Sequence, residues 1–233
     1  MSGDMTHSRF FALTLLSLSS LCLWAQAPAG EPPKPPEGIP VLDPLVVTKC
    51  GGCHRKDDKG NLSRISWERT TPEGWEEVIK RMVRLNGLTL EPADARSIVK
   101  SLSATHGLAP EEAKAVSYMA EHRVVDEAYP SDVVRTTCAS CHPFGRVASF
   151  RRSPEEWKLL ADLHVALFPV AELTAFRQRR PPGAGGDDAS PGPPPQPVDQ
   201  AIQYLTKTYP LYTPEWASWR TRTRPPKLAG RRR

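Results

Sequence analysis

Histidine and methionine are scarce in this chain, at six and four of 233 residues, and cysteine stands at five. Aromatic residues make up only 7%. A chain so poor in bulky side chains builds a modest core for its length and gains from any apolar group held inside it. No apolar run reaches the roughly 20 residues of a comfortable membrane span; the longest, Phe10 to Trp24, is short and rich in serine. No stretch alternates well enough to predict a strand. There is no phosphate-binding glycine loop, no Ser-His-Asp order and no argued pair of catalytic carboxylates, which sets aside nucleotide-cleaving and triad chemistry. The pairs Glu76-Glu77 and Glu155-Glu156 fall in first helical turns and read as solvated, dipole-matched surface.

Charge also excludes more than it suggests. The formal net charge is +5, yet Arg220, Arg222, Arg224, Lys227, Arg231, Arg232 and Arg233 supply seven positive charges at one end. Without them 24 basic residues face 26 acidic ones, a balance of −2. Residues 221–233 therefore read as a solvated basic tail. No aromatic interleaving supports a nucleic-acid partner.

What the chain does have is one pentapeptide twice: Cys50-Gly51-Gly52-Cys53-His54 and Cys138-Ala139-Ser140-Cys141-His142. C-x-x-C-H is the attachment pattern for c-type haem. Two thiols on one turn form thioethers to one macrocycle, and the next residue places an imidazole under the iron. With six histidines in 233 residues, chance would put one after both pairs on the order of 1 time in 1,500. Two other readings use the cysteines alone: one shared zinc ribbon and two disulfides.

Residues 1–29 read as a secretory signal, with His7 and Arg9 ahead of the apolar run and Ala25-Gln26-Ala27 as a cleavage site. Cys22 leaves with that peptide. Export suits the chemistry, because c-type haem is attached outside the bacterial cytoplasm, and a periplasmic location follows. An uncleaved peptide would act instead as a membrane anchor. Residues 30–42 form a Pro-rich lead-in.

The repeat extends beyond the pentapeptide. Asp43 and Ser131 each stand seven residues ahead of the first cysteine as helix caps, and Trp75 and Trp157 each open a later helix. Ser101 to Leu108 matches Tyr204 to Leu211. The expected fold is all-α, with two tandem cytochrome c-like haem domains at 43–109 and 129–220 and a connector helix at 110–128. Residues 179–197 form a disordered Pro/Gly insert in the second.

Two covalently bound haem c groups are expected, on Cys50 and Cys53 and on Cys138 and Cys141, with His54 and His142 as proximal ligands. A low-spin haem needs a second ligand, usually Met or His. Met82, Met119, His106, His122 and His164 remain. Met82 follows Trp75 by seven residues and His164 follows Trp157 by seven. That places Met82 opposite His54 and His164 opposite His142. His106 is the alternative for the first haem, Met82 then being ordinary core.

The segments Trp75…Arg81-Met82…Gly87, Thr105-His106-Gly107-Leu108-Ala109-Pro110-Glu111, Glu156-Trp157…Leu160…His164 and Pro214-Glu215-Trp216 resemble the dihaem domain of the quinohaemoprotein amine dehydrogenase alpha subunit. The resemblance spans about residues 43–230. It implies an electron-transfer chain working with a propeller (beta) subunit and a small (gamma) subunit whose quinone oxidises primary amines. It implies no catalysis by this chain alone. Lys227 to Gly230 resembles the start of a further domain, so a truncated subunit and a free-standing cytochrome are both expectations. Redox donor and acceptor proteins are the implied partners. A dihaem peroxidase-like enzyme, with one iron left open, is the rival reading.

Overall fold

Four helices start on a side-chain oxygen cap, three of them with proline next in the chain. In the computed structural model, which describes residues 36–116, 131–178 and 195–222, α1 (Pro44–Cys50) opens on Asp43, whose carboxylate accepts from Leu45 N–H at 2.8 Å. The second copy, α5 (Asp132–Thr137), opens on Ser131, which accepts from Val134 N–H at 3.3 Å. The Trp-led helices α2 (Pro72–Asn86) and α7 (Pro154–Leu167) start on Thr71 and Ser153, each accepting from the N–H three residues on. Such caps are worth about 1 kcal/mol each. Gly87, at φ 70°, closes α2 in the left-handed conformation that glycine adopts most cheaply.

Each of these pairs packs into its own core. Val46, Leu62, Trp75, Ile79, Ile98 and Leu102 form the first, with Cys50 against it. Val134, Phe144, Trp157, Leu205 and others form the second, with Cys138 against it. The remaining helices are α3 (Pro92–Thr105), α4 (Pro110–Lys114), α6 (Gly145–Ala148), α8 (Pro197–Thr208) and α9 (Pro214–Arg222). A single π turn at Glu172–Phe176 packs beside α7 and α8. The protein is mostly helical, as expected, and the described residues fall in one compact unit.

A two-stranded ribbon, which the sequence reading did not anticipate, joins the cores. β1 (Glu68–Thr70) pairs antiparallel with β2 (Phe150–Arg152), and Arg69 stands opposite Arg151. The offsets 157 − 75, 164 − 82 and 151 − 69 are all 82, so the ribbon pairs each repeat with its own counterpart. The equivalence extends to the hydrogen bonds. Thr70 N–H and the Trp75 indole both donate to His106 O, at 3.0 and 3.1 Å. Arg152 N–H and the Trp157 indole both donate to Tyr209 O, at 3.3 Å each. Three-residue strands are too short to show alternation, and five of these six residues are charged or polar ones buried where the two repeats meet.

Glu112, the third residue of α4, anchors that meeting. Arg69, wholly buried, donates to both its oxygens at 2.8 and 2.9 Å. Arg151 Nε lies 3.3 Å away, and Thr213 and the Ala109 N–H donate to it at 2.9 and 2.8 Å. Arg69 also lies 4.7 Å over the Trp216 ring.

Several expectations fall outside the described residues: the signal peptide at 1–29, residues 30–35 of the Pro-rich lead-in, the connector from residue 117, Met119, His122, the insert at 179–194 and the tail from 223. Among the described residues, no helix is long and apolar enough to cross a membrane.

Candidate haem sites

The two pentapeptides sit at equivalent helix ends. α1 stops at Cys50, and the backbone N–H groups of Cys53 and His54 turn back to Cys50 O at 3.2 and 2.9 Å. In the second copy, Cys138 is the residue that ends α5. All four thiols are free, and in each pair the first is half-buried and the second exposed. The pairs lie against different cores, and no three metal-binding side chains gather among the described residues. That is not the arrangement of one shared zinc ribbon. Burial pushes the Cys138 thiol up to about 11 and raises Cys50, with neighbouring Cys53 adding to the latter.

The imidazoles are fixed from behind. His54 Nδ1 lies 2.7 Å from Ser63 O, and His142 Nδ1 lies 3.1 Å from Pro143 O. A ring that donates through Nδ1 to a carbonyl leaves Nε2 bare for a metal. His164 Nδ1 lies 2.8 Å from Leu160 O, one turn back in α7, which leaves its Nε2 bare as well. The structure brings His142 and His164 together, with ring centroids 6.3 Å apart and planes 36° from parallel. Two imidazoles on opposite sides of one metal ion, each at about 2 Å, have centroids about 6 Å apart. Phe168 and Phe176 pack beside the His164 ring at 6.4 and 6.0 Å.

The first site is less closed. Met82 is half-buried on α2, and its thioether lies 3.7 Å from Asn86 Nδ2. His106 is a core residue. It is wholly buried, with Nε2 3.0 Å from Ile39 O, Nδ1 2.7 Å from the Thr105 hydroxyl and its ring edge-on to Trp75 at 6.2 Å. Burial holds it down at about 4, so it is neutral. Both nitrogens are engaged, which leaves it no lone pair to offer. Trp75 and Trp157, each 1% exposed, are core anchors whose indoles tie their helices to the ribbon.

A family model described as "Quinohemoprotein amine dehydrogenase A, alpha subunit, haem binding" matches residues 42–184, more than half the chain. The chain belongs to that family. No curated protein matches it. The matched stretch of this amine dehydrogenase alpha-subunit haem-binding domain holds both pentapeptides, both Trp-led helices and the ribbon between them. Free thiols at helix ends beside imidazoles with bare Nε2 are a donor set that fits haem.

Sequence reading missed one feature and misjudged another. Arg69 and Arg151 share the offset of the two tryptophans, and that signal alone could have marked them. Glu156 is not surface, being 5% exposed and ion-paired to Arg64 at 2.9 Å. Burial pushes it up to about 7, Glu68 adding to the rise and Arg64 and Arg152 opposing it. Glu76 and Glu77 are exposed and pair with Lys80. A carboxyl that holds its proton more tightly when folded stabilises most below its unfolded pKa, near 4.3. That contribution is lost as pH rises from there through about 7. Glu156→Gln should flatten the stability profile over that window by on the order of 1 kcal/mol, read from urea midpoints at pH 4.5 and 8. A Gln variant with the wild-type slope refutes this.

Proposed function

We propose that this chain is an exported dihaem c-type cytochrome that carries electrons as part of an amine dehydrogenase. The observation that carries the reading is the pair His142 and His164, directly after one C-x-x-C pair and on the Trp-led helix of the same core, with ring centroids 6.3 Å apart and each ring pinned through Nδ1. The same elements in the first core support a second site. Two tandem haem domains follow, with a ribbon of counterpart strands as their seam.

Bound haem supplies a one-electron ferric/ferrous couple. The side chains do the rest. Cys50, Cys53, Cys138 and Cys141 tether the macrocycles, which fixes orientation without dependence on affinity. His54 and His142 would ligate the irons through Nε2, because Ser63 O and Pro143 O hold the rings in the metal-binding tautomer. His164 would supply the second ligand to the haem held by His142, and Met82, on the Trp-led helix of the first core, would supply that of the other. Amine oxidation belongs to a quinone-bearing partner subunit; this chain takes the electrons onward to an external acceptor.

Intact mass of protein matured in a haem-attaching periplasm should show two haem additions on a chain cleaved near residue 27 or 29. Its visible spectrum should be low-spin throughout. One addition or none refutes the dihaem reading, and a high-spin band favours the peroxidase-like rival.

A further inference from the structure

Five charged side chains meet beside the ribbon, each from a different element. Glu68 of β1 accepts from Arg152 of β2 at 2.6 Å. Glu156, in the first turn of α7, pairs with Arg64 from the loop ahead of β1. Arg64 has a left-handed φ of 71°, a conformation that costs about 1–3 kcal/mol outside glycine. Arg81 of α2 faces the same group, with Glu68, Arg152 and Arg64 as its charged neighbours.

The cluster is one anion short. Three guanidiniums stand against two carboxylates, a balance of 3 − 2 = +1 when both are ionised. Arg81 Nε and Arg152 Nε are buried and have no acceptor. Glu68 Oε1 and Glu156 Oε2 are buried without a donor as well; the second lies 2.9 Å from Arg64 Nε, close enough for attraction but not aligned for a hydrogen bond. The free acceptors therefore do not serve the free donors. A buried donor left unpaired costs about 1–3 kcal/mol. Arg81 directly precedes Met82, so its guanidinium belongs to the helix assigned to the first haem.

We infer that Arg81, together with Arg152, holds a carboxylate of the first bound cofactor, a haem propionate, in the seam between the two cores. The inference rests on the dihaem reading above. A guanidinium fork matches a carboxylate with two parallel N–H donors, and the added negative charge offsets the excess of guanidiniums in the cluster. Glu156, largely protonated below neutral pH, adds little opposing charge there. A free inorganic anion would satisfy the same donors, and the test separates the two sources.

Haem-loaded wild type, Arg81→Met and Arg81→Lys are weighed, titrated spectroelectrochemically and compared by redox-difference infrared spectroscopy. Methionine removes the cation and favours the ferric form. The ferric-to-ferrous ratio of the first haem at fixed potential should rise at least tenfold, about 59 mV for one electron. The propionate carboxylate band should move. Lysine keeps the charge but not the fork, so its potential should stay near wild type while the band still moves. A band at the wild-type position in Arg81→Lys overturns the assignment, whether or not the methionine variant loads haem. A first-haem potential in wild type that follows added inorganic phosphate assigns the site to a free anion and also overturns it. Two haems by mass with an unmoved band refutes this inference alone, whereas fewer than two in wild type removes the dihaem reading and this inference together.

Discussion

Replacing Glu112 with leucine should lower the stability of the protein by about 3–5 kcal/mol, the usual cost of stripping one partner from a buried ion pair. The carboxylate is the shared acceptor for Arg69, Arg151, Thr213 and the Ala109 N–H. Its loss leaves Arg69, fully buried, with only the carbonyls of Leu211 and Gly107. A domain is stable by only about 5–15 kcal/mol, so the variant approaches the threshold of folding. The pH dependence has a definite sign. Burial by itself would raise the Glu112 carboxyl, but the Arg69 guanidinium, helped by the Ala109 N–H and Arg151, outweighs it and holds the carboxyl below its usual range. Its contribution is complete above the unfolded carboxylate pKa and is lost as pH falls through the lower folded value. Urea titration at pH 7 and pH 3 should show the wild type losing stability on acidification and Glu112→Leu losing less. A loss under about 1 kcal/mol at pH 7 would show that the network contributes little.

The sequence carried the helices far better than it carried the seam. Caps such as Asp43, Thr71, Ser131 and Ser153 act within three residues, so they are legible in one dimension. The pentapeptides are legible for the same reason. The ribbon is not: Glu68, Arg69 and Thr70 have no strand pattern, and their burial depends on partners more than 75 residues away in the chain. Glu156 misled because a glutamate in a first helical turn is ordinarily solvated, and only the ribbon packed over it makes it otherwise. His106 was ambiguous in sequence because a ligand and a satisfied core histidine look alike until both ring nitrogens are placed. The repeat was the strongest clue to long-range order. Carried one step further, from Trp75 and Trp157 back to Arg69 and Arg151, it points to the residues on which the two halves meet.

The His164→Met variant should bring the two haem potentials together. A thioether stabilises ferrous iron better than an imidazole, so His/Met ligation raises a haem potential and bis-His ligation lowers it. If His54 and Met82 hold the first iron and His142 and His164 the second, as proposed, the second haem would be the lower-potential centre, and electrons would enter there and leave from the first. The bare Nε2 atoms of His142 and His164, the 6.3 Å between their rings and the carbonyl contacts behind them support the bis-imidazole assignment. The full engagement of His106 removes the competing imidazole from the first. Burial and hydrogen bonding also tune potentials, so a substitution within one protein is the cleaner test. Wild type should titrate in two waves, the lower carrying the bis-His spectrum and the upper the weak far-red band of a sulfur ligand. Met82→Ala should abolish that band and leave the lower wave low-spin, which fixes the identity of each wave. His164→Met should then raise the lower wave, shifting the ferrous-to-ferric ratio of that haem at fixed potential at least tenfold, about 59 mV for one electron. A bis-His spectrum in the upper wave, or a lower wave unmoved by the methionine, would reverse or abolish the proposed direction of flow.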